Sequence, residues 1–410
     1  MSTLSRSPAM QALRHPDFAR YAFGRLAGTL AWQMVDVVIL VQVWHLTRDY
    51  LSLGLVGLAQ FLPFFVLLLP GGQIADRFDR RLIIACAFSI ELAGAIMLLA
   101  FTLLGGTNVY ICFLAAALLG VARAFWAPAG QAMTPNLVPK NLLPGAISVN
   151  TVLFQAGVIA GPIVGGALLK AGYHFAYGMA VALLTTTVLL MAGVRPVRAQ
   201  AVAEWRWHSV LDGFRFVWRK KPLLGAISLD LFAVLFGGAV ALLPVFAERV
   251  LHVDSLGLGF LRAAPAVGAG VVALTLGVRP IQKAAGRWMF GGVALFGVCT
   301  VIFGLSTSFW LSLTVLALAG AGDMVSVFVR QLLVQLETPD AIRGRVSAVN
   351  SMFIGASNEL GAFESGLTAS WFGAIRSVVF GGLGTLFVVA SYMRLFPELR
   401  KLDRFPEAVH

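Results

Sequence analysis

Residues 52–104 read SLGLVGLAQFLPFFVLLLPGGQIADRFDRRLIIACAFSIELAGAIMLLAFTLL. Two apolar runs of more than twenty residues flank one short charged loop, Asp76 to Arg81. A hydrocarbon layer about 30 Å thick takes roughly 20 apolar residues per helix. Each run is therefore long enough to cross a bilayer, and the loop turns the chain back at one face.

The same pattern extends in both directions. Apolar segments fall near 18–46, 52–75, 82–104, 109–133, 145–170 and 175–193, then near 223–249, 256–278, 288–305, 310–336, 346–371 and 377–396. The expected fold is an all-α membrane protein with twelve transmembrane helices. Composition agrees: 59% of the 410 residues are hydrophobic and 12% charged, half the charge of an ordinary soluble domain. The mean hydropathy is +0.84.

Twenty-three Lys and Arg fall on one set of loops and tails. Four, Arg48, Lys170, Arg249 and Arg376, fall on the other. By the positive-inside rule both termini are expected in the cytoplasm. The net charge of +12 follows from this topology and forms no continuous stripe, so nucleic acid is not an expected partner. No apolar segment precedes Pro16, so the first helix is expected to act as an uncleaved insertion signal.

The chain divides at its longest polar stretch into 1–193, a linker at 194–222, and 223–410. Within the linker, Leu211, Phe214, Val217 and Trp218 recur at helical spacing. That segment reads either as an amphipathic helix on the inner membrane surface or as a plain tether. The halves repeat each other: Ser148-Val149-Asn150-Thr151 aligns with Ala348-Val349-Asn350-Ser351, Gly161 with Gly361, Gly166 with Gly366, and Thr134-Pro135 with Thr338-Pro339. Duplicated halves with a site between them recur among secondary transporters.

Ionisable residues inside apolar helices are costly and need a partner or water. Asp36, Glu91, Asp230, Asp323, Glu359, Glu364, Arg25, Arg123, Arg262 and Arg330 are in that position. Asp36, Asp230, Asp323, Glu359 and Glu364 are candidate proton carriers, since a desolvated carboxylate can load and release a proton. Glu359 and Glu364, five residues apart, point about 140° from each other. Glu91 is expected to turn into its own bundle. Arg123 and Asp323 occupy matching repeat positions, and either face one another across a cavity or pair within their own bundles. Arg330, seven residues past Asp323, shares its face. Trp32, Gln33, Arg123, Trp126, Gln155, Phe232, Phe236 and Arg330 are candidate cavity residues for an amphipathic organic cargo.

Several chemistries are not expected. There is no phosphate-binding Gly-x-x-x-x-Gly-Lys loop, and no nucleophile elbow. The six His and three Cys (Cys86, Cys112, Cys299) show no metal spacing. Catalytic residues, metal and cofactors are expected to be absent.

The loop Gly72-Gln73-Ile74-Ala75-Asp76-Arg77-Phe78-Asp79-Arg80-Arg81 resembles the corresponding loop of the major facilitator superfamily, with Asp79 where that family usually has Gly. The resemblance implies two pseudo-symmetric six-helix bundles. It also implies a breakable latch of Gly72, Asp76, Arg77, Arg80 and Arg81 against a partner near Arg343 to Val346, with Gly72 expected to permit close helix packing. The alternative is a loop that only sets topology. Gly157, Gly161-Pro162 and Gly165-Gly166 match the pattern that in this superfamily marks exporters and antiporters, though small residues also serve plain packing.

Over nearly the whole chain the sequence looks like the enterobactin-exporter-like branch, often described as transmembrane secretion effectors. Asp230-Leu231-Phe232, Arg343 to Asn350, and Ser357 to Gly366 carry that likeness. It implies a monomer in the bacterial inner membrane that exports a siderophore- or drug-like molecule against protons. A passive facilitator or lipid-moving protein is the alternative.

Overall fold

The computed structural model describes residues 8–196 and 208–403, all helical or in short connections. The side chains of Asp76, residues 208–212, Asp340, Ala341, Arg343, Gly344 and Ala348 lie outside the described set. Helix α1 (Pro8–Leu13) is followed by α2 (Pro16–Thr47), α3 (Tyr50–Arg77), α4 (Arg80–Leu103), α5 (Tyr110–Met133), α6 (Leu143–Leu169) and α7 (Tyr173–Ala192). Then come α8 (His208–Arg219), α9 (Lys221–Gly237), the single turn α10 (Leu243–Val245), α11 (Ser255–Val278), α12 (Ala285–Leu305) and α13 (Phe309–Glu337). Helices α14 (Asp340–Phe372), α15 (Ala374–Leu395) and the short α16 (Pro397–Arg400) complete the order.

Among the described residues, eleven helical segments are long and apolar enough to cross a membrane. The remaining expected segment, 346–371, falls within α14, whose 33 residues span about 50 Å at 1.5 Å per residue. It is long enough to cross but more polar, carrying Arg345, Glu359 and Glu364. Large apolar side chains such as Leu62, Val66, Leu274, Val278 and Phe387 are more than half exposed. Exposure on that scale suits a lipid surface rather than water.

The chain forms two compact units. The first comprises Met1–Arg48, Ala59–Ala203 and Asp254–Gly259; the second comprises Asp49–Leu58, Glu204–Val253 and Phe260–His410. In the first, α2 packs on α6 and α7, and α4 packs on α5 and α7. In the second, α9 packs on α14 and α15, and α12 packs on α13 and α15. The pairing scheme recurs, as the repeated sequence leads one to expect.

Glycine explains much of that recurrence. A Cβ on Gly161 would lie 2.6 Å from Gln33 Cβ and 2.9 Å from the Leu30 carbonyl oxygen, so α6 meets α2 almost backbone to backbone. Its repeat partner Gly361 meets the carbonyl oxygens of Val234 and Leu235 on α9 in the same way. Gly166 abuts the Ser255 carbonyl within the first unit, and Gly366 abuts Gly54 and the Tyr50 carbonyl within the second. Gly172 (φ 128°) and Gly373 (φ 84°) take positive φ where α6 turns into α7 and α14 into α15.

Two polar details follow the repeat. Asn150 donates from Nδ2 to Thr134 Oγ1 at 2.7 Å, and the corresponding Asn350 and Thr338 are both buried. Asp49 caps α3 by accepting the Ser52 N–H, and Asp254 caps α11 by accepting the Gly257 N–H at 2.8 Å. Lys170 Nζ lies 2.7 Å from Asp254 Oδ2. That contact, with the Gly257 N–H, holds the Asp254 carboxyl below the usual carboxylate range.

Three expectations need correction. The helix expected over 223–249 is broken. After Gly237 the chain passes through a 3-10 turn (Ala239–Leu242), α10, and a π turn (Phe246–Val250). Gly238 approaches the Gly361 backbone, with a would-be Cβ 2.8 Å from its carbonyl carbon. Ser365 Oγ donates to the Gly238 carbonyl at 2.9 Å, while Pro244 has no N–H to continue the ladder. Second, the linker is a helix, α8, rather than a plain tether, and part of its apolar stripe, Phe214 and Val217, rests on protein while Trp218 is exposed. Val217 is buried, the Phe214 ring lies 6.1 Å from that of Phe353, and Gly213 backs onto Arg345 of α14. Third, Gly72 does not mediate close packing: a Cβ there would meet nothing within 4 Å, whereas at Gly71 it would lie 2.3 Å from the Ala124 carbonyl oxygen.

These clearances predict opposite outcomes. Gly161→Ala should destabilise the purified protein by about 1–3 kcal/mol through overpacking. Gly72→Ala should be neutral or stabilising by less than about 1 kcal/mol. Thermal unfolding in detergent reads both, and equal midpoints for the two variants would contradict the helix contacts described.

Candidate functional site

The first unit gathers an aromatic and ionic cluster from α2, α3, α4 and α5. Asp36 on α2 is buried and accepts a hydrogen bond from Gln60 Nε2 of α3 at 2.8 Å. Arg123 on α5 lies over two rings, 5.0 Å from the Phe64 centroid and 5.4 Å from that of Trp32. Such cation–π contacts hold a guanidinium in an apolar wall without neutralising it. Trp32 meets Trp126 edge-on at 6.0 Å, and Trp126 stacks on Phe88 at 5.9 Å. Trp126 also donates from Nε1 to Glu91 Oε1 at 3.0 Å, so Glu91 turns into the first unit as expected.

A cleft lined by Tyr21, Arg25, Phe88, Trp126, Gly130 and Met191 opens beside these rings. Arg25 lies over Phe154 at 5.3 Å, and Tyr21 donates to the Gly130 carbonyl at 2.7 Å.

In the second unit, Asp230 of α9 and Arg330 of α13 form a buried ion pair. Asp323, two turns before Arg330, is half-buried and interacts electrostatically with both. Arg330 thus bonds Asp230, while Asp323 acts on the pair through space. With both carboxyls ionised, the cluster carries one uncompensated negative charge, which a bound proton would cancel. The pair itself is expensive to break, because a lone charge would remain without water.

The structure brings together Trp32, Arg123 and Trp126 in one unit and Asp230, Asp323 and Arg330 in the other. Other candidates are placed elsewhere. Gln33 packs at the α2–α6 contact against Gly161. Phe232 faces Tyr392 at 6.4 Å and Phe236 rests on Gly384, both on α15. Gln155, Glu359 and Glu364 are half-buried on α6 and α14. Sequence reasoning missed Gln60, Phe64, Tyr21 and Phe88. Gln60 had a usable signal, as a lone amide in the apolar run Leu58–Leu69.

The loop residues act locally. Asp79 accepts the Arg81 N–H at 3.0 Å and caps α4, replacing a turn glycine by a capping side chain. Arg80 donates to the Ala132 carbonyl at 2.9 Å, and Arg81 to that of Val194 at 2.9 Å. Both cations therefore serve carbonyls at the ends of α5 and α7. Arg77 is exposed. The latch contact from Asp76 to the region of Arg343 falls on side chains outside the described set.

The family described as "Transmembrane secretion effector" matches residues 7–409. The chain belongs to that family. It is thus a major facilitator superfamily transporter of the bacterial inner membrane and not an enzyme. "Enterobactin exporter EntS" of Escherichia coli O1:K1 is 28% identical over 403 residues, covering 96% of this chain and 95% of that protein. The protein of the same name from Escherichia fergusonii matches equally.

Among solved structures, a bacterial homolog of the human lysosomal transporter Spinster, inward-facing and occupied, superposes with a TM-score of 0.76 at 16% identity, over 96% of this chain and 99% of that one. The nucleoside transporter NupG gives 0.69 at 15% identity, over 93% and 99%. These likenesses show the fold. The chain is a membrane export transporter for a small-molecule substrate.

The ion pair makes a direct prediction. Arg330→Met should cost about 3–5 kcal/mol by stranding buried carboxylate charge. Asp230→Asn added to it should recover part of that loss. A double-mutant cycle by thermal unfolding measures the coupling; strictly additive losses would contradict a direct pair.

Proposed function

We propose that the chain exports a small amphipathic organic molecule, of the siderophore or drug class, in exchange for protons by alternating access. The observation that carries the reading is the buried pair Asp230 and Arg330 with the half-buried carboxyl of Asp323 acting on it. In hydrocarbon surroundings an uncompensated charge is costly, so a carboxylate in excess over its cation is a place to hold a proton. A proton bound there on one side and released on the other would tie cargo movement to the proton gradient. Asp36, Glu359 and Glu364 are secondary candidates.

The cargo surface in this reading is the ring-and-guanidinium wall of Trp32, Phe64, Trp126 and Arg123. It offers flat apolar faces beside one cation, which suits a molecule with aromatic and anionic groups. The kinship with proteins named enterobactin exporters supports a siderophore as the first cargo to test. The same reading takes α14 as the twelfth crossing, places both termini in the cytoplasm on the Lys and Arg bias, and treats the protein as a functional monomer of two six-helix bundles.

The test is enterobactin secretion by cells lacking an endogenous exporter and supplied with wild type or Asp230→Asn at equal membrane levels. Wild type should restore secretion, and Asp230→Asn should lose most of it. Equal secretion by the two would overturn the role of Asp230. Failure of the wild type to restore secretion would overturn the siderophore cargo.

A further inference from the structure

Glu91 has a peculiar environment for a carboxylate. It is 1% exposed, its Oε1 accepts only the indole N–H of Trp126, and its buried Oε2 meets no hydrogen-bond donor among the described residues. An ionised carboxylate at a purely structural site normally gathers several donors. A neutral acid needs fewer, and is far cheaper to desolvate.

The elements packed on α4 offer little compensation. From α5 comes Arg123, near enough to act on Glu91 electrostatically but seated on the Trp32 and Phe64 faces. From α2 come Arg25 and Tyr21, which line the cleft beside Phe88 and Trp126, while Asp36 is bonded to Gln60. Helix α7 contains no Asp, Glu, Lys or Arg, and its one imidazole, His174, packs on Phe175 at the helix start.

We propose that Glu91 is a proton-binding site of the first unit, linked to Arg123 through the contacts of Trp126 and Trp32. On release, the acid's O–H bond breaks, the electron pair stays on the carboxylate, and the proton passes to solvent entering the cleft beside Tyr21 and Arg25. The new anion then competes with the two ring faces for Arg123. Protonation of Glu91 thereby leaves the guanidinium on the aromatic wall, and deprotonation draws it away. The proton site stands on geometry alone; its service to cargo exchange rests on the proton-coupled export reading.

The test separates a proton site from a mere hydrogen-bond acceptor. Glu91→Gln keeps an oxygen for the Trp126 N–H, so a purely structural role would survive it. Infrared spectra of the purified full-length protein, titrated from acid to alkaline pH, should show a buried carboxylic-acid C=O band that disappears on raising pH and is missing in Glu91→Gln. A wild-type spectrum indistinguishable from that of Glu91→Gln at every pH would overturn the proposal, as would a Glu91 band that persists throughout. Should Glu91→Gln fail to fold, Trp126→Phe keeps the carboxyl and removes its donor. The midpoint of the band should then shift, and an unchanged midpoint overturns the link to Trp126. A titrating Glu91 band combined with enterobactin export indifferent to the proton gradient supports the site and overturns the coupling reading.

Discussion

Charge without water is the constraint on which this protein is organised. Spans wrapped by lipid can hold an ionised side chain only where another charge, a dipole or an aromatic face compensates it. The structure meets that demand in three ways. Asp230 and Arg330 neutralise each other directly. Arg123 is held on two ring faces, and Asp36 takes an amide donor from Gln60. Asp323 acts on an ion pair already closed by Asp230, and Glu91 accepts one indole N–H, so both are sparsely compensated carboxyls at which a proton could be held.

The frame that brings these groups together depends on small residues rather than on apolar burial, since lipid competes equally for apolar surface. Gly161 and Gly361 let α6 and α14 approach α2 and α9 within backbone distance. That closeness fixes the helices carrying Asp36 and Asp230. Where the second repeat departs from the first, at Gly238, the helix breaks and its freed carbonyl is taken up by Ser365. Asp230, the α9 member of the ion pair, thus sits two turns before a discontinuity, a common feature of transporter helices that line a path.

Much of the fold was legible because span length is set by the bilayer and the apolar runs are long. The helices fall within a few residues of the windows read from sequence. The break after Gly237 was not legible, since an apolar run looks alike whether its hydrogen bonds step by three, four or five residues. The site was legible in its parts and less so in its pairing. Asp230, Asp323 and Arg330 stand out as charges in apolar helices, but Asp230 and Arg330 are a hundred positions apart and nothing local joins them. Trp32 and Trp126 stand out as aromatics; Phe64 and Phe88 are lost among thirty phenylalanines. Gly71 and Gly72 are indistinguishable as letters, and only the rotation of α3 decides which one meets α5.

Proteoliposomes holding the purified protein and enterobactin test the central claim most directly, with and without an imposed proton gradient. If uncompensated buried carboxyls carry protons in exchange for cargo, the gradient should drive enterobactin against its own concentration difference, and collapsing the gradient should abolish that accumulation. Movement that only equalises concentrations, at the same rate with or without the gradient, would contradict it.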